Sequence, residues 1–432
     1  MRVLIIGCGL AGLATALSLS SSSDDDDVYA THAHEITIVE KRSDLESRGA
    51  TFGLHINGQN ALSEIEGGVG AKMTSNILAK LQSEGILMPS GGYMLPWWKV
   101  RDALLEEVQA REEKIKIHLG VSIDSITEKD NGSYLATFKG SNMQIVADVI
   151  IGADGVNSYV RRDILKLPPA KPSGVYVWRG SIDTNASSSD DLKQMQEYPI
   201  GKFMKFGEAM ILSCFNFHEK VDGQLAWVFT VRANMLPSDH INIDCGTTTP
   251  IDVIKAYMEE VDDGNDDEEL KENYKLAMIA FGNTHQPSDL TWSSEMAVVD
   301  LNQDDIGWVG KGRITLIGDA AHSIRPANGL GGSLAFEDAA LLGRYISRSN
   351  TSSSTSIEEQ LRAFEKIRLP RCKSISNDQS IRSKLSYTLG YGVPAWDPAY
   401  AEWISDGVDA TPEPPVSEVD VFADFISDGK DV

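Results

Sequence analysis

Apolar and polar positions follow a double rhythm in the first part of the chain. Val3-Leu4-Ile5-Ile6, Ile36-Thr37-Ile38-Val39 and Val146 to Ile151 are short β-rich runs, whereas Leu13 to Leu19 and Ser333 to Ile346 repeat their apolar positions at helical period. Strands that alternate with helices predict a doubly wound α/β sheet, since a parallel neighbour is reached only through a crossover. The texture changes near Gly174. Gly174 to Gly180, Ala209 to Phe217 and Gln224 to Arg232 are longer strand-like stretches joined by turns. They predict a mostly antiparallel second lobe, inserted before the chain returns to the first at about residue 305.

The expected organisation is a discontinuous α/β domain, residues 1–172 and 301–393, with a β-sheet domain at 173–300 and an acidic, Pro-containing tail at 394–432. A chain of 432 residues is long enough for both domains. The low-complexity runs Ser20 to Asp27, Asp262 to Glu269 and Ser349 to Ser356 are read as solvated loops. In the tail, Trp396, Trp403 and the patch Val421 to Ile426 are expected to pin the segment to the body.

Charge and cysteines narrow the function. A net charge of −24 argues against a nucleic acid or an anionic membrane as partner, because phosphates are bound through clustered Lys and Arg. Cys8, Cys214, Cys245 and Cys372 stand far apart, without Cys-x-x-Cys pairs or His at ligand spacing, so neither a disulfide framework nor a zinc site is expected. Past the opening residues no run approaches the roughly eighteen apolar residues of a membrane span. Oligomeric state is not legible in these patterns.

The opening itself reads in two ways. A basic residue, an apolar run and Ala-Thr-Ala resemble a secretory leader. The same letters spell Gly7-x-Gly9-x-x-Gly12 after a strand, the dinucleotide fingerprint. Its first glycine permits the tight turn, the second lets backbone approach a pyrophosphate, and the third lets helix and strand pack. A second strand ending in an acid should follow, and Ile36 to Val39 with Glu40 supplies it. Glu40 lies 28 residues after Gly12, beyond the usual ~20, and the Ser/Asp run accounts for the excess. The nucleotide reading is preferred, which implies no secretion and a cytoplasmic protein. Cys8 is then a small residue that fits the turn. Further on, Asp154-Gly155 and Gly318-Asp319 each end a strand, placing acids where polyol hydroxyls can donate to them. Pro326-x-x-Gly329-x-Gly331-Gly332 leads into a helix whose start can offer N–H groups to an anion.

In this order the motifs resemble the class A flavoprotein monooxygenases, the family with the p-hydroxybenzoate hydroxylase fold, and within it the salicylate-hydroxylase-like and zeaxanthin-epoxidase-like branch. The match runs from residue 2 to about residue 374. Arg101-Asp-Ala-Leu104 looks like the family's Arg-x-x-Leu, and Arg48 to Asn57 resembles the segment beside the isoalloxazine. Trp178-Arg179-Gly180 and Phe364-Glu365-x-x-Arg368-x-Pro370-Arg371 are similar to further family segments. The resemblance implies a Rossmann-like FAD domain with an inserted antiparallel β-sheet substrate domain. It implies FAD held by Gly7, Gly9, Leu10, Ala11, Gly12, Glu40, Lys41, Arg48, Gly53, Arg101, Asp154, Gly155, Asp319, Gly331 and Gly332. Within that set Glu40 takes the adenosine ribose, Arg101 the pyrophosphate region, Asp319 the ribityl chain, and Gly53 and Gly332 line the flavin. Leu330 and Ser333 depart from the family's usual Gln and Asn.

The implied activity is NAD(P)H- and O2-dependent hydroxylation of a small aromatic or polyketide-like compound through a flavin C4a-hydroperoxide. NAD(P)H acts as a transient reductant with no domain of its own. Epoxidation of isoprenoid or carotenoid alkenes, a flavin reductase or dehydrogenase on the same fold, and a non-catalytic flavin- or nucleotide-binding module are the alternatives. His55 is the candidate general base on a phenol, with a packed structural histidine as the rival reading. His322 is expected to cap the turn after Asp319 or touch the cofactor, and His218 to lie in a loop. Arg179, Cys214, Asn216 and Pro326 are candidate substrate residues. Alternation puts Leu212, Cys214 and Asn216 on one face of their strand and Ile211, Ser213 and Phe215 on the other, and leaves open which face meets the cofactor.

Overall fold

The computed structural model describes residues 1–20, 34–45, 51–67, 76–87, 92–185, 192, 201–207, 209–217, 223–233, 236, 243, 248–261, 267–284, 291–302, 308–324, 330–348 and 356–388. The tail at 394–432, Arg48, His218, Cys245, Pro326 and Gly329 lie outside the described residues. In chain order the strands of the first part are β1 (Arg2–Ile6), β2 (Glu35–Val39), β3 (Thr51–Leu54), β4 (Ile86–Leu87), β5 (Tyr93–Pro96), β6 (Ile115–His118), β7 (Ile123–Glu128), β8 (Tyr134–Phe138), β9 (Gln144–Ala147) and β10 (Val149–Gly152). Then come β11 (Lys171–Asp183), β12 (Gly201–Phe206), β13 (Met210–Asn216), β14 (Gln224–Arg232), β15 (Thr291–Val298) and β16 (Ile314–Leu316). The helices are α1 (Leu10–Ser20), α2 (Ile56–Gly67), α3 (Asn76–Glu84), α4 (Trp97–Gln109), α5 (Pro250–Val261), α6 (Glu268–Gly282), α7 (Asp319–His322), α8 (Gly331–Arg348) and α9 (Ile357–Thr388), with a π-helical turn at Val160–Ile164.

The architecture is α/β, with one parallel sheet and separate antiparallel sheets. The parallel sheet runs in the order β16-β10-β1-β2-β6. Strand β1 lies at its centre, and Val3 to Ile6 are buried because both faces of the sheet are covered. Helix α1 packs against α4 and α8, so the opening residues build the middle of the core. The run Val146 to Ile151, which reads as one strand, is two. Asp148 breaks it: its carboxylate accepts from Arg2 N at 2.8 Å and pairs with the Arg2 guanidinium. Residues before the break pair antiparallel with β8, and those after it run parallel to β1.

The second sheet, β12-β13-β14-β11-β15, has antiparallel neighbours throughout. One face carries Trp178, Trp227, Phe229 and Met204, buried under Tyr257 of α5 and Phe281 and Leu276 of α6. The small sheet β3-β5-β4 lies between this assembly and the parallel sheet's helices.

The low-complexity runs at 20–27, 262–269 and 349–356 lie mostly outside the described residues, and the described ends of the last two belong to helix starts. Asp267 caps α6, its carboxylate accepting from Leu270 N at 3.1 Å, and Glu268 and Glu269 form the first turn, where carboxylates are favoured by the helix dipole. Ser356 and Glu359 close a capping box on α9: Ser356 N donates to Glu359 and Glu359 N to the Ser356 hydroxyl. Among the described residues no helix is long and apolar enough to cross a membrane.

Candidate functional site

The turn from β1 to α1 is built by exclusion. Gly7 has φ +113°, and a Cβ there would lie 2.2 Å from Ala153 O; one on Gly12 would lie 2.0 Å from Gly7 O. A Cβ on Gly9 would meet nothing within 4 Å. The first and third glycines are therefore demanded by the fold, and the second borders open space at the N-terminus of α1, beside Leu10 and Ala11. Glu40 ties the end of β2 to this turn, its carboxylate accepting from Cys8 N at 2.9 Å and from Arg42 N at 3.0 Å. Lys41, next along, is exposed. Burial, and secondarily Glu40, push the Cys8 thiol up to about 12, so it is a neutral packing group. Arg101 on α4 is 3% exposed and bonded to Asp102, and its charge acts on Cys8 in the opposite sense, which places the guanidinium beside the turn.

The other two strand-end acids differ from one another. Asp154 follows β10, but its carboxylate accepts from the Ser158 hydroxyl, from Tyr159 N at 2.7 Å and from Val160 N at 3.1 Å. These bonds cap the π-helical turn, and Gly155 beyond it borders open space. Asp319 follows β16 through Gly318, whose φ of 57° and ψ of −144° suit glycine alone, and whose missing Cβ makes room for Ala11 of α1. Asp319 is open to water yet surrounded by protein on all sides, as on the floor of a cleft. Burial raises its pKa, His322 and Arg179 oppose the rise, and Asp338 adds to it.

Helix α8 begins beside Asp319: a Cβ on Gly331 would lie 3.7 Å from Asp319 Oδ1. Gly332 leaves room for the Phe52 ring. Ser333, the departure from the usual Asn, donates to Gly53 O at 3.3 Å and accepts from His55 N at 3.2 Å, latching β3 to the start of α8. His55 is half-buried, and its carbonyl accepts from Gln59 N as α2 begins. Gly7, Glu40, Arg101, Asp154, Asp319 and the starts of α1 and α8 thus converge at the carboxyl ends of the parallel strands, where open α/β sheets bind ligands.

The antiparallel sheet supplies the facing wall, and its register settles which face. Arg179 pairs with Val228 and Val228 with Ser213; Ser181 pairs with Ala226 and Ala226 with Phe215. Paired residues share a face. Phe215, Phe217 and Ala226 pack against Ile86 and Met94 of the small sheet, and Arg179 acts on Asp319 across the gap. Burial lowers the Arg179 pKa, and Asp319 counters that. Leu212 and Cys214 are buried on the opposite, helix-covered face, to which alternation assigns Asn216 as well. Cys214 and Asn216 thus lie on the face turned away from Arg179.

Several residues at the site escaped the sequence reading. Arg161 is buried and its Nη1 donates to Ala320 O at 3.4 Å and Ala321 O at 3.2 Å, bracing α7; burial pushes its pKa down to about 10. Behind the same turn, Asp338 Oδ2 accepts from Gly318 N at 2.8 Å and lies 2.6 Å from His322 Nε2, while Arg368 Nε donates to Oδ1 at 2.7 Å. His322 therefore faces away from the cleft, neither capping the turn directly nor lining the site. Glu337 accepts from Arg368, Arg371 and Asn57, joining α8 to α9 and α2. The ligating atoms of His322, Asp338 and Cys372 lie within 4.8 Å of one another, but the Arg368 guanidinium already occupies Asp338 and opposes a cation there. The spacing Glu337-Asp338 on one helix against Arg368-x-x-Arg371 on another was the available signal; only packing α8 on α9 makes it an ion-pair network.

The family model described as FAD binding domain matches residues 1–378. The chain belongs to that family, as an FAD-dependent monooxygenase of class A. It is 24% identical to the FAD-dependent monooxygenase nanF of Aspergillus nanangensis, over 98% of this chain and 95% of that one. It is also 24% identical to the aurachin C monooxygenase/isomerase of Stigmatella aurantiaca, over 94% of this chain and 93% of that one. The crystal structure of CtdE in complex with FAD and substrate 4 shares the fold, with a TM-score of 0.68 at 16% identity, covering 99% of this chain and 100% of that one.

The residues present fit FAD. The open space at Gly9 and the first turn of α1 suit a pyrophosphate, with Arg101 close by. Glu40 at one end and Asp319 at the other suit hydroxylated arms, and Asp319 borders the start of α8.

Proposed function

We propose that the enzyme hydroxylates a small, polar aromatic or polyketide-like compound lodged between the flavin and the Arg179 face of the antiparallel sheet. In this reading FAD lies with its adenosine ribose at Glu40 and Lys41, its pyrophosphate on Gly9, Leu10, Ala11 and Gly12, and its ribityl chain at Asp319. Gly53, Gly331 and Gly332 border the isoalloxazine. The supporting observation is that Arg179, on the antiparallel sheet, and Asp319, after the last strand of the parallel sheet, lie within electrostatic reach of one another. The proposed division is a cofactor domain at 1–172 and 301–393 and a substrate domain at 173–300. A cytoplasmic location is part of the reading, supported by buried thiols at Cys8 and Cys372 that form no disulfide.

When bound, FAD supplies reduction by NAD(P)H and activation of O2 for transfer of one oxygen atom to an electron-rich carbon. The chain's residues bind, orient and dry the site. Phe215, Phe217, Ile86 and Met94 close one side with apolar surface, which excludes water. Arg179 offers a cation to an anionic or phenolic substrate. Ser213 and Thr230 are half-buried on its face of the sheet. These polar groups, set among the apolar side chains of the same face, favour a substrate with oxygen functions over a carotenoid alkene. His55, held through its backbone by Ser333, is the proposed base on a phenolic proton.

The test is purification, an oxidised-flavin absorbance band, and substrate-stimulated NAD(P)H oxidation coupled to O2 uptake over a panel of phenols and polyketide-like compounds. Protein that takes up no FAD ends the reading. His55→Ala should retain FAD and slow hydroxylation by about 10²–10⁴-fold, the usual weight of a general base. An unchanged rate removes His55 from the chemistry.

A further inference from the structure

Behind the cofactor cleft, a set of charged groups reaches Asp319 without entering the cleft. His322 lies one helical turn after Asp319 on α7 and is fully buried. It faces Asp338 of α8 and Cys372 of α9; Arg368 of α9 binds Asp338 from its other oxygen, and Glu337 and Arg371 continue the network. Asp319 in turn is faced by His322, by Arg179 of β11 and by Asp338. With His322 protonated, His322, Arg368 and Arg371 stand against the carboxylates Glu337 and Asp338, and the Arg161 guanidinium lies on α7 at Ala320 O and Ala321 O; of these groups His322 favours and Asp338 disfavours the Asp319 charge.

We propose that His322, held as an imidazolium by Asp338, is a positioning and charge-setting residue that keeps Asp319 ionised and aimed at the cofactor. The geometry has two parts. Asp338 Oδ2 grips both the Gly318 N–H and the His322 ring, so one carboxylate orients the turn that carries Asp319 and anchors the imidazole below it. Arg368 fixes that carboxylate from its other oxygen. A carboxylate in a deep cleft resists ionisation, and a nearby buried cation offsets this where water cannot. Burial disfavours the His322 charge and Nδ1 has no hydrogen-bond partner among the described residues, but Asp338, with Cys372 nearby, raises its pKa well above the ordinary imidazole range. The inference rests on the reading that Asp319 binds FAD.

The experiment is FAD affinity of the full-length apoprotein, measured by flavin fluorescence between about pH 4 and pH 8, around the ordinary carboxylate and imidazole pKa values. Affinity should fall as pH drops through the Asp319 pKa. His322→Gln keeps a donor to Asp338 but removes the positive charge, so the midpoint should rise by about one pH unit. Adding Asp338→Asn removes the negative charge left behind and should bring the midpoint back toward that of the wild type. In an Asp319→Asn background, His322→Gln should no longer move it. A merely structural role predicts weaker affinity at every pH, an unmoved midpoint and a double variant worse than the single; that pattern overturns the proposal. Side-chain ¹⁵N shifts of the wild-type histidines give a check that needs no variant, because a neutral His322 near pH 7 overturns it too. A wild-type protein that binds no FAD at any pH fails the functional reading instead, before these variants are compared.

Discussion

The two walls of the cleft are made by different means. The wall on the parallel sheet is largely backbone: a turn that only glycines permit, helix starts whose first N–H groups have no intrahelical acceptor, and acids at strand ends. The wall on the antiparallel sheet is side chain, its character set by which of two alternating faces looks inward. A backbone site is written in local spacing and tolerates almost no change. A side-chain wall depends on register and on what covers its back, and it admits variation without loss of the fold.

The sharpest way to break this contrast is Gly12→Val. The new Cβ would overlap Gly7 O, and neither partner can move because both are backbone in the core. FAD content of the purified protein, read by absorbance, should drop to near zero, and bound flavin at normal occupancy would disprove the backbone account. Next in size is Glu337→Gln, which leaves Arg368 and Arg371 short of a buried partner and should cost about 3–5 kcal/mol in denaturant unfolding. The acid limb follows the same carboxylate. Burial opposes its charge, but Arg371 and Arg368 outweigh this and hold its pKa at about 2. A lowered carboxylate pKa contributes stability above its ordinary value near 4.5, lost as pH falls through about 2. Acid unfolding of the variant should therefore lack this component.

On the facing wall the effects should be smaller and should divide by face. Arg179→Met should keep FAD and lower kcat/KM by about 10–100-fold, the weight of about 1.5–3 kcal/mol for a hydrogen bond to a charged group. Cys214→Ala, on the helix-covered face, should leave KM unchanged and cost about 1 kcal/mol of stability, an ordinary core truncation. If Cys214→Ala raises KM while Arg179→Met does not, the assignment of faces is reversed.

Much of the cofactor wall was legible from spacing. Gly7-x-Gly9-x-x-Gly12 and Glu40 lie where strand, turn and helix require them, and Gly318-Asp319 follows its strand as read. Asp154 was legible as a strand-end acid but not in its partners, because Ser158, Tyr159 and Val160 reach it only through a π-helical turn that local propensity does not mark. Val146 to Ile151 reads as one strand because its composition is uniform; the split at Asp148 depends on Arg2, far away in sequence.

What the amino-acid order determined alone is the set of contacts closed within a few residues: the glycine turns, the helix starts, the strand-end acids and the capping box at Ser356. Packing decided the rest. Alternation offers two equivalent faces to β13, and only α5 and α6 on one side and Ile86 and Met94 on the other distinguish Cys214 from Phe215. The buried ring of charges behind Asp319 joins residues from α7, α8 and α9, and its members acquire partners only when those helices meet. Electrostatic energy in a buried site depends on distance through space, and that distance is not a property of sequence separation.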